Sequence, residues 1–152
     1  MNFRFIGLTF NDIIMNIVPW LVISLRSIPE GDVFMNLYAV SFFGHRQIDN
    51  VFVIEQRLET MIRELLLSKE YVEFLVGRDG EFDQLVASTV RRCKRTVRDD
   101  NSALVLVLPY ATAEYRNNEQ SFHAYYDEVE ICAEAAEKHY KSAHQIRNRT
   151  MV

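Results

Sequence analysis

Ser102-Ala103-Leu104-Val105-Leu106-Val107-Leu108, closed by Pro109, is the stretch that decides the fold. After its serine the run is apolar without interruption. A short continuous apolar run stopped by a proline is the pattern of a strand covered on both faces. Such strands belong to parallel sheets with helices lying across them. Upstream, Tyr71-Val72-Glu73-Phe74-Leu75-Val76 ends at Gly77, and Leu37-Tyr38-Ala39-Val40-Ser41-Phe42-Phe43 ends at Gly44. Both read as further strands, the second beginning at Asn36.

Helical periodicity fills the intervals. Over residues 51–67, Val51, Ile54, Leu58, Met61, Ile62 and Leu65 recur at helical spacing. Glu55, Arg57, Glu59, Arg63 and Glu64 take the other faces, and Asp49 or Asn50 is placed to cap the start. Over residues 81–95, Phe82, Leu85, Val86, Val90 and Cys93 form a second apolar stripe. Strand–helix–strand–helix–strand predicts an α/β domain with parallel strands and right-handed crossovers. Beyond Tyr110 the pattern weakens. Residues 111–121 read as a loop, 129–132 as a short strand or an irregular segment, and 134–151 as helix-prone.

Composition sets the outer limits. The chain has 152 residues, 49% of them hydrophobic and 25% charged, which suits one globular domain with its own core. Its net charge of −4 argues against coating nucleic acid through bulk charge. Arg91, Arg92, Lys94, Arg95 and Arg98 cluster late in the second helix, where they complement its dipole. Tyr125, Tyr126 and Tyr140 read as packing residues before they read as a base-stacking set. Cys93 and Cys132 form no close-spaced metal or redox pair. His123, His139 and His144 have no partner at metal-ligand spacing, so no metal and no cofactor is expected. Nor is there a serine or cysteine nucleophile motif.

The N-terminus differs from the rest. Residues 13–25 carry no formal charge and are strongly apolar, but Asn16, Pro19 and Ser24 interrupt them. The run is shorter than the roughly 20 residues of a membrane-spanning helix. It also lacks the cleavage pattern of a signal peptide. Three readings fit it: an apolar helix packed on the domain, a peripheral membrane anchor, or residues outside the natural domain. Met35 stands just before the first clear strand. The expected organisation is therefore an N-terminal apolar extension, 1–34, with a helix in it, and a Rossmann-like three-layer domain, 35–152.

In open α/β sheets ligands bind beyond the carboxyl ends of the parallel strands. Two loops lie there. In the first, Gly44 permits a tight turn, and His45 and Arg46 offer a titratable ring and a forked cation suited to phosphate or carboxylate. The second, residues 77–83, is a glycine-containing turn leading into a helix N-terminus, a place where backbone N–H groups can hold an anion. Its Asp79, Glu81 and Asp83 would repel a bare phosphate, so the turn suits hydroxyls, such as those of a ribose. Arg147, Asn148 and Arg149 form a basic helix end near the C-terminus.

Three motifs in order, Ser-Phe-Phe-Gly-His-Arg at 41–46, Gly-x-x-Gly-x-Phe-Asp at 77–83 and Ile-Arg-Asn-Arg-x-Met at 146–151, resemble a bacterial and phage branch of the SLOG superfamily. That superfamily includes the Smf/DNA-processing proteins and the lysine-decarboxylase-like LOG phosphoribohydrolases. The resemblance covers about residues 36–152. It implies a Rossmann-like sheet and a cytoplasmic protein that binds a nucleotide or nucleotide-derived small molecule, in a sensing or regulatory role. It places Gly44, His45 and Arg46, then Gly77, Gly80 and Asp83, then Arg147, Asn148 and Arg149 around the ligand. Arg78 and Asp79 depart from the family's pattern. By the same analogy Asp83 is the catalytic candidate if the protein cleaves the N-glycosidic bond of a nucleoside monophosphate. The family continues into a further strand and a Gly-Gly turn that this sequence lacks. The resemblance thus implies an incomplete sheet, truncated at the C-terminus, with a bare edge beside the first strand. That edge would suit a homo-oligomer, and an inactive fragment or interaction subunit is the remaining alternative.

Overall fold

The computed structural model describes residues 13–18, 21–29, 36–132 and 151, with side chains from residue 37 onward. Its strands are β1 (Ile13–Val18), β2 (Leu21–Pro29), β3 (Asn36–Phe43), β4 (Tyr71–Val76), β5 (Ser102–Leu108) and β6 (Glu128–Ile131). Its helices are α1 (Val51–Ser68), α2 (Glu81–Thr96), α3 (Ala113–Asn117) and α4 (Glu119–Tyr125). The six strands form one sheet in the order β1-β2-β3-β4-β5-β6. Strands β3 to β6 are parallel, giving the α/β, Rossmann-like arrangement that the apolar runs predict.

Among the described residues, the N-terminal apolar run forms strands and not the expected helix. Residues 13–18 and 21–29 are strands, antiparallel to one another, and β2 pairs antiparallel with β3. The residues account for this. Ile13, Ile14, Ile17, Val18, Val22 and Ile23 are β-branched and stiff at χ1, which favours strand over helix. Pro19 would break a helix through 13–25, and in sequence it falls between the two strands. The pairing of β2 with β3 runs from Val22 opposite Phe43 to Pro29 opposite Asn36. The edge beside β3, expected to be bare, is therefore occupied by β2.

Two further segments differ from expectation. Residues 111–121 contain α3 and the start of α4 rather than a loop. Thr112 caps α3, its hydroxyl accepting the Tyr115 N–H at 3.1 Å. Val51 belongs to α1 but faces solvent, 45% exposed. The 134–150 segment lies outside the described residues.

The core sits between the sheet and the helices. Because β3 to β6 advance one place at a time, crossovers of one hand set their helices on one face. Accordingly, Val40, Phe42, Val72, Phe74, Val76, Leu104 and Leu106 pack with Ile54, Leu58 and Ile62 of α1 and Phe82, Val86 and Val90 of α2. The opposite face presents Ala103, Val105 and Val107, which pack with Met151. The buried Ser41 hydroxyl donates to the Met151 carbonyl, tying residue 151 to β3. Both faces of β5 are thus covered, and all seven of its residues are buried.

A charged lock closes the amino end of the sheet. Lys94 of α2 is buried, and its ammonium donates to the Ser102 carbonyl at 3.0 Å and to Asp127. Asp127, just before β6, also accepts the Leu104 N–H at 2.7 Å. One lysine therefore joins α2, β5 and the approach to β6. Asn101 works beside it, its amide donating to the Leu66 and Lys69 carbonyls at the end of α1 at 2.9 and 3.1 Å.

Removing one member of a buried ion pair strands the other, at a cost of about 3–5 kcal/mol when both are fully buried. Asp127 is 48% exposed, so the expected cost is smaller. Asp127→Ala should destabilise the fold by about 1–3 kcal/mol, since Lys94 and the Leu104 N–H both lose an acceptor. Urea unfolding checks this; an unchanged midpoint would mean that the lock contributes nothing.

Candidate functional site

At the carboxyl end of the sheet, the loop after β3 and the turn after β4 are packed backbone to backbone. A Cβ on Gly80 would stand 2.6 Å from the Arg46 Cα, and one on Gly44 would stand 2.3 Å from the Phe82 ring. Both glycines are therefore required by close approach. The hydrogen bonds follow. The Glu81 N–H donates to the Arg46 carbonyl at 2.8 Å, and the Ile48 N–H donates to the Glu81 carboxylate at 3.1 Å. The Asp79 N–H donates to Asp83 Oδ2 at 3.0 Å.

This geometry changes the meaning of the two motifs. In an anion cradle, the N–H groups of such a turn point at the ligand. Here those of Asp79 and Glu81 have protein partners, and the first loop covers the turn. The glycines join one loop to the other. Asp83 acts as an acceptor within its own turn, and Gly77 is buried at the end of β4. His45 and Arg46 are exposed. His45 borders an open hollow of about 550 Å³ with Gln47, Asp49, Asn50 and Arg57. Arg147, Asn148 and Arg149 lie outside the described residues.

Arg78, which the sequence offers only as a departure from a motif, is a cation with developed surroundings at this end of the sheet. Its guanidinium lies over the Phe122 ring, 4.5 Å from the centroid. One nitrogen donates to Glu114 at 2.7 Å and another reaches the Tyr126 hydroxyl at 3.4 Å. Arg78 thereby links the turn after β4 to α3 and to the end of α4. The hydrogen bond from Arg78 holds the Glu114 carboxyl below the usual glutamate range. Burial pushes the Tyr126 phenol up, with Arg78 opposing the shift. Since the folded-state pKa of Glu114 is depressed, the pair's contribution is present above the ordinary glutamate range and is lost as pH falls through the folded value. That contribution is small, because Glu114 is 59% exposed. Residues 78 and 114 are far apart in sequence, and 114 falls in a segment read as loop, so no local pattern could have paired them.

A groove of about 820 Å³ opens beside Arg78 along the outer side of α2. Arg78 and Glu81 line it with Gln84, Leu85 and Ser88 of α2 and with Tyr125 and Tyr126 at the end of α4. Tyr125 is held in place by Arg91, whose guanidinium lies 4.1 Å from the ring centroid, and by Tyr126 edge-on at 4.8 Å. The groove offers a cation, a carboxylate, an amide, a hydroxyl and an aromatic ring. Of the described residues expected at the site from sequence, Gly44, His45, Arg46, Gly77, Gly80 and Asp83, none lines it.

Arg91, Arg92 and Lys94 of α2 are engaged structurally. Arg92 bridges to Glu55 and Glu59 of α1 at 2.7 and 3.2 Å. Among the described residues, no group of three histidine, cysteine or acidic side chains is arranged to hold a metal. Burial pushes the Cys93 thiol up, away from a reactive thiolate. No described helix is long and apolar enough to cross a membrane.

No family model, no characterised protein and no solved structure matches this chain.

The loop-to-loop contact can be tested directly. Gly80→Ala sets a methyl group against backbone rather than a movable side-chain end, so the loops must separate. The expected cost is about 1–3 kcal/mol, read as a lower urea midpoint. A variant as stable as the parent would show that the contact is not close-packed in solution.

Proposed function

We propose that this protein binds a nucleotide or nucleotide-derived small molecule at the carboxyl end of its parallel strands, in the groove between Arg78 and Tyr125. The observation that carries the reading is the groove itself. Its volume, about 820 Å³, lies within the range of about 300–1,000 Å³ typical of small-molecule sites. Its lining divides as such a ligand does. Tyr125 offers a ring for a base, Glu81, Gln84 and Ser88 offer partners for hydroxyls, and Arg78 offers a cation for an anionic group. The resemblance of the motifs at 41–46, 77–83 and 146–151 to the SLOG superfamily favours the same ligand class and a sensing role in the cytoplasm, although Gly44, His45, Arg46, Gly77, Gly80 and Asp83 of the first two motifs do not themselves line the groove.

The reading moves the ligand away from the expected glycine turn. It also gives no support to catalysis by Asp83, whose carboxylate serves its own turn and does not line the groove. Binding without turnover is the function that this set of side chains suits best.

A thermal-shift series with AMP, ADP-ribose and NAD tests the proposal. At a hundredfold excess over its dissociation constant, a native-state ligand stabilises by about 2.7 kcal/mol, a rise of several degrees for a chain of this size. Tyr125→Ala should weaken the responding nucleotide about tenfold, through loss of the stacking ring. No stabilisation by any of the three at millimolar concentration would sink the proposal.

A further inference from the structure

Arg78 combines a fixed cation with a loosely held anion. The guanidinium is oriented from two sides, by the Phe122 ring at 4.5 Å and by the turn after β4 that carries it. Phe122 is buried and packs edge-on with Tyr115 at 5.3 Å, so the surface beneath the cation is itself fixed. The anion is different. Glu114 reaches Arg78 through one oxygen, at 2.7 Å, from a five-residue helix. Its side chain is 59% exposed, and a glutamate–arginine pair so open to water is held weakly. A rotation of that side chain alone would release it. Arg78 also lines the groove, and Glu114 does not.

We infer that Arg78 is the phosphate-binding residue of the groove and that Glu114 is a resident counter-anion, displaced when a phosphoryl group arrives. The inference rests on the nucleotide reading of the groove for the rest of the ligand, but the anion site is testable without it. A phosphoryl oxygen accepts from the forked guanidinium as a carboxylate does, and it carries more charge. Glu114 then sets selectivity. It keeps Arg78 neutralised in the free protein, and it makes every anionic ligand compete with an internal carboxylate. A neutral nucleoside does not compete, so Glu114 lowers the preference for nucleotide over nucleoside.

The decisive measurement follows the Glu114 carboxyl carbon by NMR across a pH titration of the full chain. Inorganic pyrophosphate is the probe, and sodium chloride of matched ionic strength is the control. Pyrophosphate is expected to raise the Glu114 pKa back toward the ordinary glutamate range, beyond any change in the salt control. A titration identical in pyrophosphate and in salt overturns the inference. Glu114→Gln, an exposed and nearly isosteric change, gives the second reading. AMP should bind this variant about fivefold more tightly than the parent, with adenosine unchanged. An equal gain for adenosine, or none for AMP, also overturns it. If no nucleotide stabilises the protein and pyrophosphate still moves Glu114, the nucleotide reading of the groove fails and the anion site stands.

Discussion

The close approach of the Arg46 and Gly80 backbones governs the carboxyl end of the parallel sheet. Two connections that leave neighbouring parallel strands at the same end of the sheet are joined there without intervening side chains. The Glu81 N–H and carboxylate then fasten residues 46 and 48. That contact fixes where α2 begins, and the start of α2 fixes the row formed by Glu81, Gln84 and Ser88. Arg78, in the same turn, reaches Glu114 of α3 and Tyr126 after α4, so the groove lies beside a contact made by packing. A glycine in such a turn is easily read as an invitation to phosphate. Here it is a condition for packing.

The opposite end of the sheet is fastened by charge instead. Lys94 brings together the end of α2, the start of β5 and the approach to β6, while Asn101 secures the end of α1. Core burial between sheet and helices is not directional and would tolerate some sliding of one layer on the other. The lysine and asparagine bonds are directional, and they fix the register of the layers. The two ends divide the work: close packing where the groove lies, and buried polar contacts at the opposite end.

Much of the fold was legible in the sequence, for a simple reason. Strands β3, β4 and β5 are apolar runs closed by Gly44, Gly77 and Pro109, and each ends where its stop residue says it should. Helices α1 and α2 carry a clear apolar stripe and match expectation within a residue. The N-terminal strands are hard to read because a long uncharged run suggests a helix. The better signal was the density of β-branched residues on either side of Pro19. Short helices such as α3 and α4 have too few turns to display a period. The candidate site was the least legible part. Arg78, Glu114, Phe122 and Tyr125 are brought together by the crossover from β5 to β6, and nothing local in the sequence announces a partner thirty-six residues away. The glycine motifs were visible, but their role was not, because an open cradle and a filled one leave the same residues in the chain.

The antiparallel β2 beside β3 bears on how the chain folds. In a parallel sheet every pairing must await a crossover helix, so each ladder closes a long loop before it gains a contact, and such topologies fold slowly. Strands β1, β2 and β3 follow one another with short connections and pair in sequence order. The meander gives the chain a sheet that can zip from local contacts, with β3 already extended as a template for β4. A protein built mainly from parallel strands thus contains, at its front, the kind of nucleus that parallel strands alone do not supply.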